Sequence, residues 1–186
     1  MAKETGGLRI RLAGIGDLPA IDRLQQAAIS RLQRGFLSEA QIEASRAAMG
    51  LDTSLVEDGT YFCVEDVMTG ELAGCGGWSR RATLYGGDHS ADRSARRLDP
   101  VTEPARIRAM YTHPDHVRRG VGRLILARSE AAAAAEGFRR LTLAATEAGK
   151  SFYLACGYHV EAAFEDTGGG IPVPLYRMEK VLTDKR

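Results

Sequence analysis

The chain has 186 residues, 44% of them hydrophobic, and a formal net charge of +1. That length suits one core of ordinary size without staples. A charge so near zero creates no global field toward nucleic acid or membrane, so neither is expected as a partner and any anion site must be local.

Residues 1–7 contain no apolar run and read as a flexible lead-in without a signal peptide. Leu8 to Ala13 alternates apolar residues with arginine and predicts a half-buried strand. Asp17 is a helix cap, with Pro19 in the first turn. The helix that follows sets Ile21, Leu24, Ala28 and Leu32 on one face. Ser38 opens a second helix with Gln41 as its capping-box partner, and Gly50 stops it. Tyr61 to Val67 and Leu72 to Ser79 form a hairpin. Gly74, Gly76 and Gly77 inside its second strand predict close approach of another group. Residues 80–103 are polar and charged and read as a long loop on the substrate side; a solvated insert fits the composition equally well.

Ala105 to His113 is a strand that Pro114 ends. Gly120 to Glu136 is a helix, with Val121, Leu124, Ile125, Ala131 and Ala135 expected on its buried side and Gly137 as its stop. Arg140 to Ala145 is a strand and Lys150 to Ala155 a short helix. Tyr158 to Phe164 and Pro174 to Val181 are the last strands, joined through Gly168-Gly-Gly170. The order predicts a single α/β domain over 1–186, with a largely antiparallel sheet and one parallel crossover. Cys63, Cys75 and Cys156 are odd in number and widely spaced, so they form neither a zinc pattern nor a disulfide framework. They read as reduced, mostly buried thiols of a cytoplasmic protein without a metal. No stretch reaches the length of a membrane span.

The most informative stretch is His113-Pro-Asp-His-Val-Arg-Arg119 and the helix opening at Gly120. The first turn of a helix has N–H groups without partners and a partial positive charge. Arg118, Arg119 and Arg123 add positive charge there, which is unfavourable unless an anion is present. Gly120 and Gly122 remove side chains where a diphosphate would touch the backbone. A solvated basic turn would look the same in isolation. The Rossmann fingerprint fits less well, because Ile125 stands in place of its third glycine. Gly149-Lys150-Ser151 ends like a phosphate loop, but Ala144 occupies the partner glycine's position.

Val117-Arg-Arg-Gly-Val-Gly122 resembles the Q/R-x-x-G-x-G/A signature of the GNAT superfamily of N-acetyltransferases, with Val117 in place of its leading Gln or Arg. The preceding Ile107-Arg-Ala-Met-Tyr-Thr-His-Pro114 is similar to the family's central strand. About thirty residues later, Ser151-Phe-Tyr-Leu-Ala-Cys-Gly-Tyr158 resembles its second signature, with Thr146 where the family often has asparagine. Cys75-Gly-Gly-Trp-Ser79 and Tyr85-Gly-Gly-Asp88 resemble one bacterial subgroup.

The resemblance implies a GNAT-like fold, a mixed, mostly antiparallel sheet flanked by helices, with acetyl-CoA as co-substrate. It implies that the pantetheine arm pairs with the backbone of Met110, Tyr111 and Thr112. The diphosphate would sit on the amides of Arg118, Arg119, Gly120, Val121, Gly122 and Arg123, with Thr146 nearby. An amide near Met110 would polarise the thioester carbonyl. Tyr153 is the candidate to protonate the leaving thiolate, since a phenol is protonated at neutral pH; simple packing of its ring is the competing role.

Arg106 stands where the family often places a catalytic glutamate. Glu103 is therefore the candidate base, with Asp99 or water as alternatives, and His113 and His116 are assigned to positioning. Phe36, Trp78, Arg80 and Tyr85, with Arg34, Arg81 and Arg177, are candidates for the acceptor pocket; several arginines there would favour an acceptor carrying carboxylate or phosphate. The expected reaction is direct attack of a small-molecule amine on acetyl-CoA in a ternary complex. An inactive acyl-CoA-binding module and a nucleotide-binding protein are the alternatives. Exposed sheet edges would suit a homodimer.

Overall fold

A computed structural model describes residues 3–90 and 93–183. Strand β1 (Lys3–Thr5) lies within the stretch expected to be flexible and pairs antiparallel with β2 (Leu8–Leu12). In β2, Leu8 and Ile10 point into the core while Arg9 faces out, as the alternation requires.

Helix α1 (Leu18–Leu32) buries Ile21, Leu24, Ala28 and Ile29; Leu32 is only half-buried. Asp17 precedes it but makes no side-chain cap bond. Its carboxylate instead accepts from the Gly14 amide and pairs with Arg11 at 2.7 Å, which holds it below the usual carboxylate range. Helix α2 (Glu39–Ser45) has the predicted capping box: Ser38 Oγ accepts from the Gln41 amide and Gln41 Oε1 from the Ser38 amide. It ends five residues before Gly50. A one-turn helix, α3 (Thr53–Glu57), follows and was not expected.

The rest follows the predicted order: β3 (Tyr61–Asp66), β4 (Leu72–Ser79), β5 (Ala105–Thr112), α4 (Val121–Ala135), β6 (Arg140–Thr146), α5 (Glu147–Leu154), β7 (His159–Asp166) and β8 (Val173–Val181). The eight strands form one sheet in the order β1-β2-β3-β4-β5-β6-β8-β7. Among the described residues the β5–β6 pair alone is parallel.

Helices cover both faces. On one, α4 lies over β3, β4 and β5, and a core cluster joins Phe62, Ile107, Ile125, Leu143, Tyr153 and Met178. On the other, α1 and α3 enclose Ile21, Leu24, Leu55, Tyr61, Cys63 and Cys75. All three cysteines are free, and burial pushes the Cys63 thiol up to about 12.

The buried stripe of α4 is Val121, Ile125, Leu126, Ser129 and Ala133. Ala131 and Ala135, expected inside, are exposed, and Leu124 is half-buried. The close approach predicted from the β4 glycines is made by this helix and β5 at Gly74 and Gly76, and by Thr60 and Tyr61 at Gly77. A Cβ on Gly76 would lie 2.5 Å from Met110 Sδ and 3.0 Å from Ile125 Cγ2.

The loop between β4 and β5 is ordered by its own contacts. The Ala82 amide donates to the Arg96 carbonyl and the Leu98 amide to the Arg80 carbonyl, at 2.9 and 2.7 Å. Its tip leans on the α2–α3 segment: the Gly87 amide donates to Ala48, and the Asp88 carboxylate accepts from the Thr53 amide. This is a folded wall, not a solvated insert.

Gly76→Ala would overpack the α4–sheet contact, an effect of roughly 1–3 kcal/mol. For a domain of this size Tm should fall by roughly 2–4 °C per kcal/mol, measured by thermal denaturation beside the parent chain.

Candidate active site

Strands β5 and β6 pair only at Ala105–Leu141 and Arg106–Thr142. Beyond that point they separate, although β5 stays paired with β4 to Thr112 and β6 with β8 to Thr146. Just past that point β5 carries an extra residue. Gly77 pairs with Arg108 and Cys75 with Tyr111, so Gly76 opposes both Ala109 and Met110. Ala109 takes the left-handed conformation, φ 50°. For a residue with a side chain this costs about 1–3 kcal/mol and persists only where the surroundings impose it. Here Tyr61 imposes it: its hydroxyl donates to the Ala109 carbonyl at 2.8 Å and accepts from Gln25 Nε2 at 3.2 Å. A bulge of this kind bends its strand and re-aims its amides.

Two cavities meet at the separation. The larger, about 830 Å³, runs along Met110, Tyr111 and Thr112 of β5 to the turn at Val117–Gly122 and across to Phe152 and Tyr153 of α5. The smaller, about 160 Å³, lies on the other side of the bulge. The loop tip Leu84–Gly87, the segment after α2 and the β7–β8 hairpin enclose it. The hairpin is tied to α2 by Gln41 Nε2, which donates to the Pro172 carbonyl at 3.0 Å. Met110, Tyr111, Thr146 and Tyr153 line both cavities.

At the far end of the larger cavity the chain passes through the left-handed region at Arg118 (φ 65°) and Gly120 (φ 85°) before entering α4. Such alternation turns successive N–H groups to one side and makes an anion-binding concavity. Gly122 serves differently: a Cβ there would lie 3.2 Å from Phe152 Cζ, so its absence lets α5 pack against the turn. Arg118 and Arg123 line the cavity and make no ion pair among the described residues. Arg119 turns away. Its guanidinium donates to Asp66 Oδ2 at 2.7 Å, and its contribution toward the cavity reduces to its amide. His116 is buried beside it, and His113 Nδ1 accepts from the Asp115 amide.

Thr146 Oγ1 accepts from the Gly149 amide at 3.1 Å and so caps α5. That cap places Tyr153 where the cavities meet. Tyr153 is more buried than Phe152, and burial raises its phenol above its ordinary value, so it remains a proton donor at neutral pH. Gly149-Lys150-Ser151 lies inside α5 rather than in a loop of free amides, and Lys150 sits over the Tyr176 ring.

Other predicted residues lie elsewhere. Glu103 is bound by Arg96 through two hydrogen bonds of 2.7 and 2.9 Å, which hold its carboxyl down at about 2; it is a weak proton acceptor and lines neither cavity. Asp99 accepts from the amide of Val101 within the same turn. Trp78 is a core residue, 2% exposed, edge-on to Phe138. Arg80 stacks over Trp78 and pairs with Glu136, and Arg81 pairs with Asp58. Arg34 and Arg177 are exposed and line neither cavity. Phe36 borders the larger cavity and Tyr85 the smaller. Composition gave no signal for Gln25, Tyr61, Asp52, Arg108 or Asp166, whose partners lie far away in sequence. Among the described residues no group of three or more His, Cys, Asp or Glu could hold a metal, and no helix is long and apolar enough to cross a membrane.

Residues 57–160 match the family described as acetyltransferase (GNAT) domain. The chain belongs to this family. No curated protein matches it. Among solved GNAT-related structures, the GCN5-related N-acetyltransferase of Rhodopseudomonas palustris is 22% identical with a TM-score of 0.70, over 97% of this chain and 99% of that one. The Salmonella typhimurium protein yncA, solved with its cofactor acetyl-CoA, is 18% identical with a TM-score of 0.62, over 96% of each chain. The PaiA N-acetyltransferase of Thermoplasma acidophilum, in complex with coenzyme A, is 16% identical with a TM-score of 0.61, over 94% and 99%. At these identities the likeness concerns the fold.

Tyr61→Phe should leave Ala109 O and Gln25 Nε2 short of a partner, an effect of about 1–3 kcal/mol in stability, readable in urea unfolding. Gly120→Glu adds backbone strain of roughly 1–2 kcal/mol and a carboxylate at the anion end. Acetyl-CoA, which should raise the Tm of the parent protein, should no longer do so.

Proposed function

We propose that this GNAT protein transfers the acetyl group of acetyl-CoA to the amine of a small molecule, both substrates being bound together. The observation that carries the reading is the pair of cavities meeting at Met110 and Tyr153, one ending in an open amide turn with two unpaired arginines. The residues present fit acetyl-CoA. Arg118, Arg123 and the amides from Arg118 to Arg123 would hold the diphosphate, and the freed edge of Met110, Tyr111 and Thr112 the pantetheine arm. Acetyl-CoA supplies the thioester to be attacked.

The protein's own groups then have defined work. The backbone at Met110, turned by the bulge, offers an N–H toward the carbonyl oxygen, where negative charge develops. Tyr153 holds the proton that the departing thiolate needs. The amine must reach its neutral form before attack. Because Glu103 is engaged by Arg96, water takes that proton in this reading. The buried free thiols are in keeping with a reducing, cytoplasmic location. Outer strand β7 is the edge available to a second copy of the chain.

Tyr153→Phe should lower kcat by roughly 10²-fold or more while acetyl-CoA affinity changes little, measured by thiol release and calorimetry. Acetyl-CoA binding without thiol release against any amine would leave a binding module in place of the enzyme.

A further inference from the structure

The smaller cavity has two charged residues in its lining, Arg108 and Asp166, and they differ in what already satisfies them. Arg108 is 5% exposed. Its guanidinium forms an ion pair with Asp52 Oδ2 at 2.9 Å and donates to the Gly86 carbonyl. Asp52 is held in turn by Arg93, whose Nη2 donates to Asp52 Oδ1 at 2.8 Å. This cluster anchors the loop tip to β5 and α3, so the positive charge of Arg108 is spent inside the protein.

Asp166 ends β7, opposite Val173 of β8. Its Oδ1 accepts from the Tyr85 hydroxyl at 3.2 Å, and the Tyr85 ring is steadied by Phe164 at 5.7 Å. Its Oδ2 has almost no accessible surface and no hydrogen-bond partner among the described residues. A carboxylate oxygen in that state is unfavourable, and a small rotation of the side chain toward the cavity lets a cationic donor relieve it. The other walls include Ala48, Leu84, Ile107, Ala144 and Leu175, and the volume of about 160 Å³ suits a compact group.

We infer that Asp166, oriented by Tyr85, receives the ammonium of the acceptor, and that the acceptor is a compact primary amine with an apolar body and no carboxylate. The inference rests on the reading of this cavity as the acceptor side of an acetyltransferase, and it narrows the class. It also reverses the expectation of an anionic acceptor, because the one arginine in the lining is already neutralised by Asp52.

The test uses the full chain saturated with CoA, with isobutylamine and its carboxylated counterpart valine as probes. Binding is measured by calorimetry and, separately, thiol release is measured with acetyl-CoA. Isobutylamine should bind at least tenfold more tightly than valine. Asp166→Asn should weaken isobutylamine by tenfold or more with acetyl-CoA affinity unchanged, and Asp166→Glu should restore part of it. Should Asp166→Asn not fold, Tyr85→Phe should weaken the amine several-fold.

Valine binding as well as the amine, isobutylamine failing to bind the parent protein, or binding unaffected by Asp166→Asn would each overturn the assignment. Asp166-dependent amine binding without thiol release would uphold the ammonium site and defeat the transferase reading instead.

Discussion

The active architecture depends on one hydrogen bond, from the Tyr61 hydroxyl to the Ala109 carbonyl. It holds an alanine in a conformation that alanine does not favour. The extra residue this permits lies on the stretch of β5 that no longer pairs with its parallel neighbour, past two paired positions. A sheet that stayed paired to its ends would have no cleft and no free strand edge. Gln25 and Tyr61 support the bulge from the α1 side, and α4 packs on β4 close beside it on the other face. The strain is thus contained by packing on both faces of the sheet.

The near-zero net charge conceals a division of local charge. The larger cavity is basic at one end, where Arg118 and Arg123 make no ion pair among the described residues. The smaller is acidic, where Asp166 has an unsatisfied oxygen. Arg108, which lines the smaller cavity, is paired with Asp52, and Arg119 beside the turn is paired with Asp66. Two oppositely charged ends could accept one anionic and one cationic reactant without competition between them.

Much of this was legible in the sequence where the signals are local. The Ser38–Gln41 cap, the β3–β4 hairpin and the strand-turn-helix from Ala105 to Ala135 are set by residues within a few positions of one another. The facing of α4 was not, because a run of alanines has no apolar contrast to set its phase. Helix α3 is one turn long and too short to show a period. An alanine bulge has no compositional mark. The roles of Trp78, Arg80 and Glu103 depended on partners that sequence order cannot supply: Phe138, Glu136 and Arg96. Tyr85 and Asp166 are eighty-one positions apart, so their meeting exists only in the fold.

Asp166 belongs to β7, the last strand of the sheet, whose first five residues are exposed and which has a neighbour on one side only. The turn at Arg118–Gly122, by contrast, leads directly into α4, which packs on the central strands. Exchanges at those exposed positions of the outer strand disturb little of the core. Under the proposed function, the acceptor side of the site stands on the periphery of the sheet and the donor side at its centre.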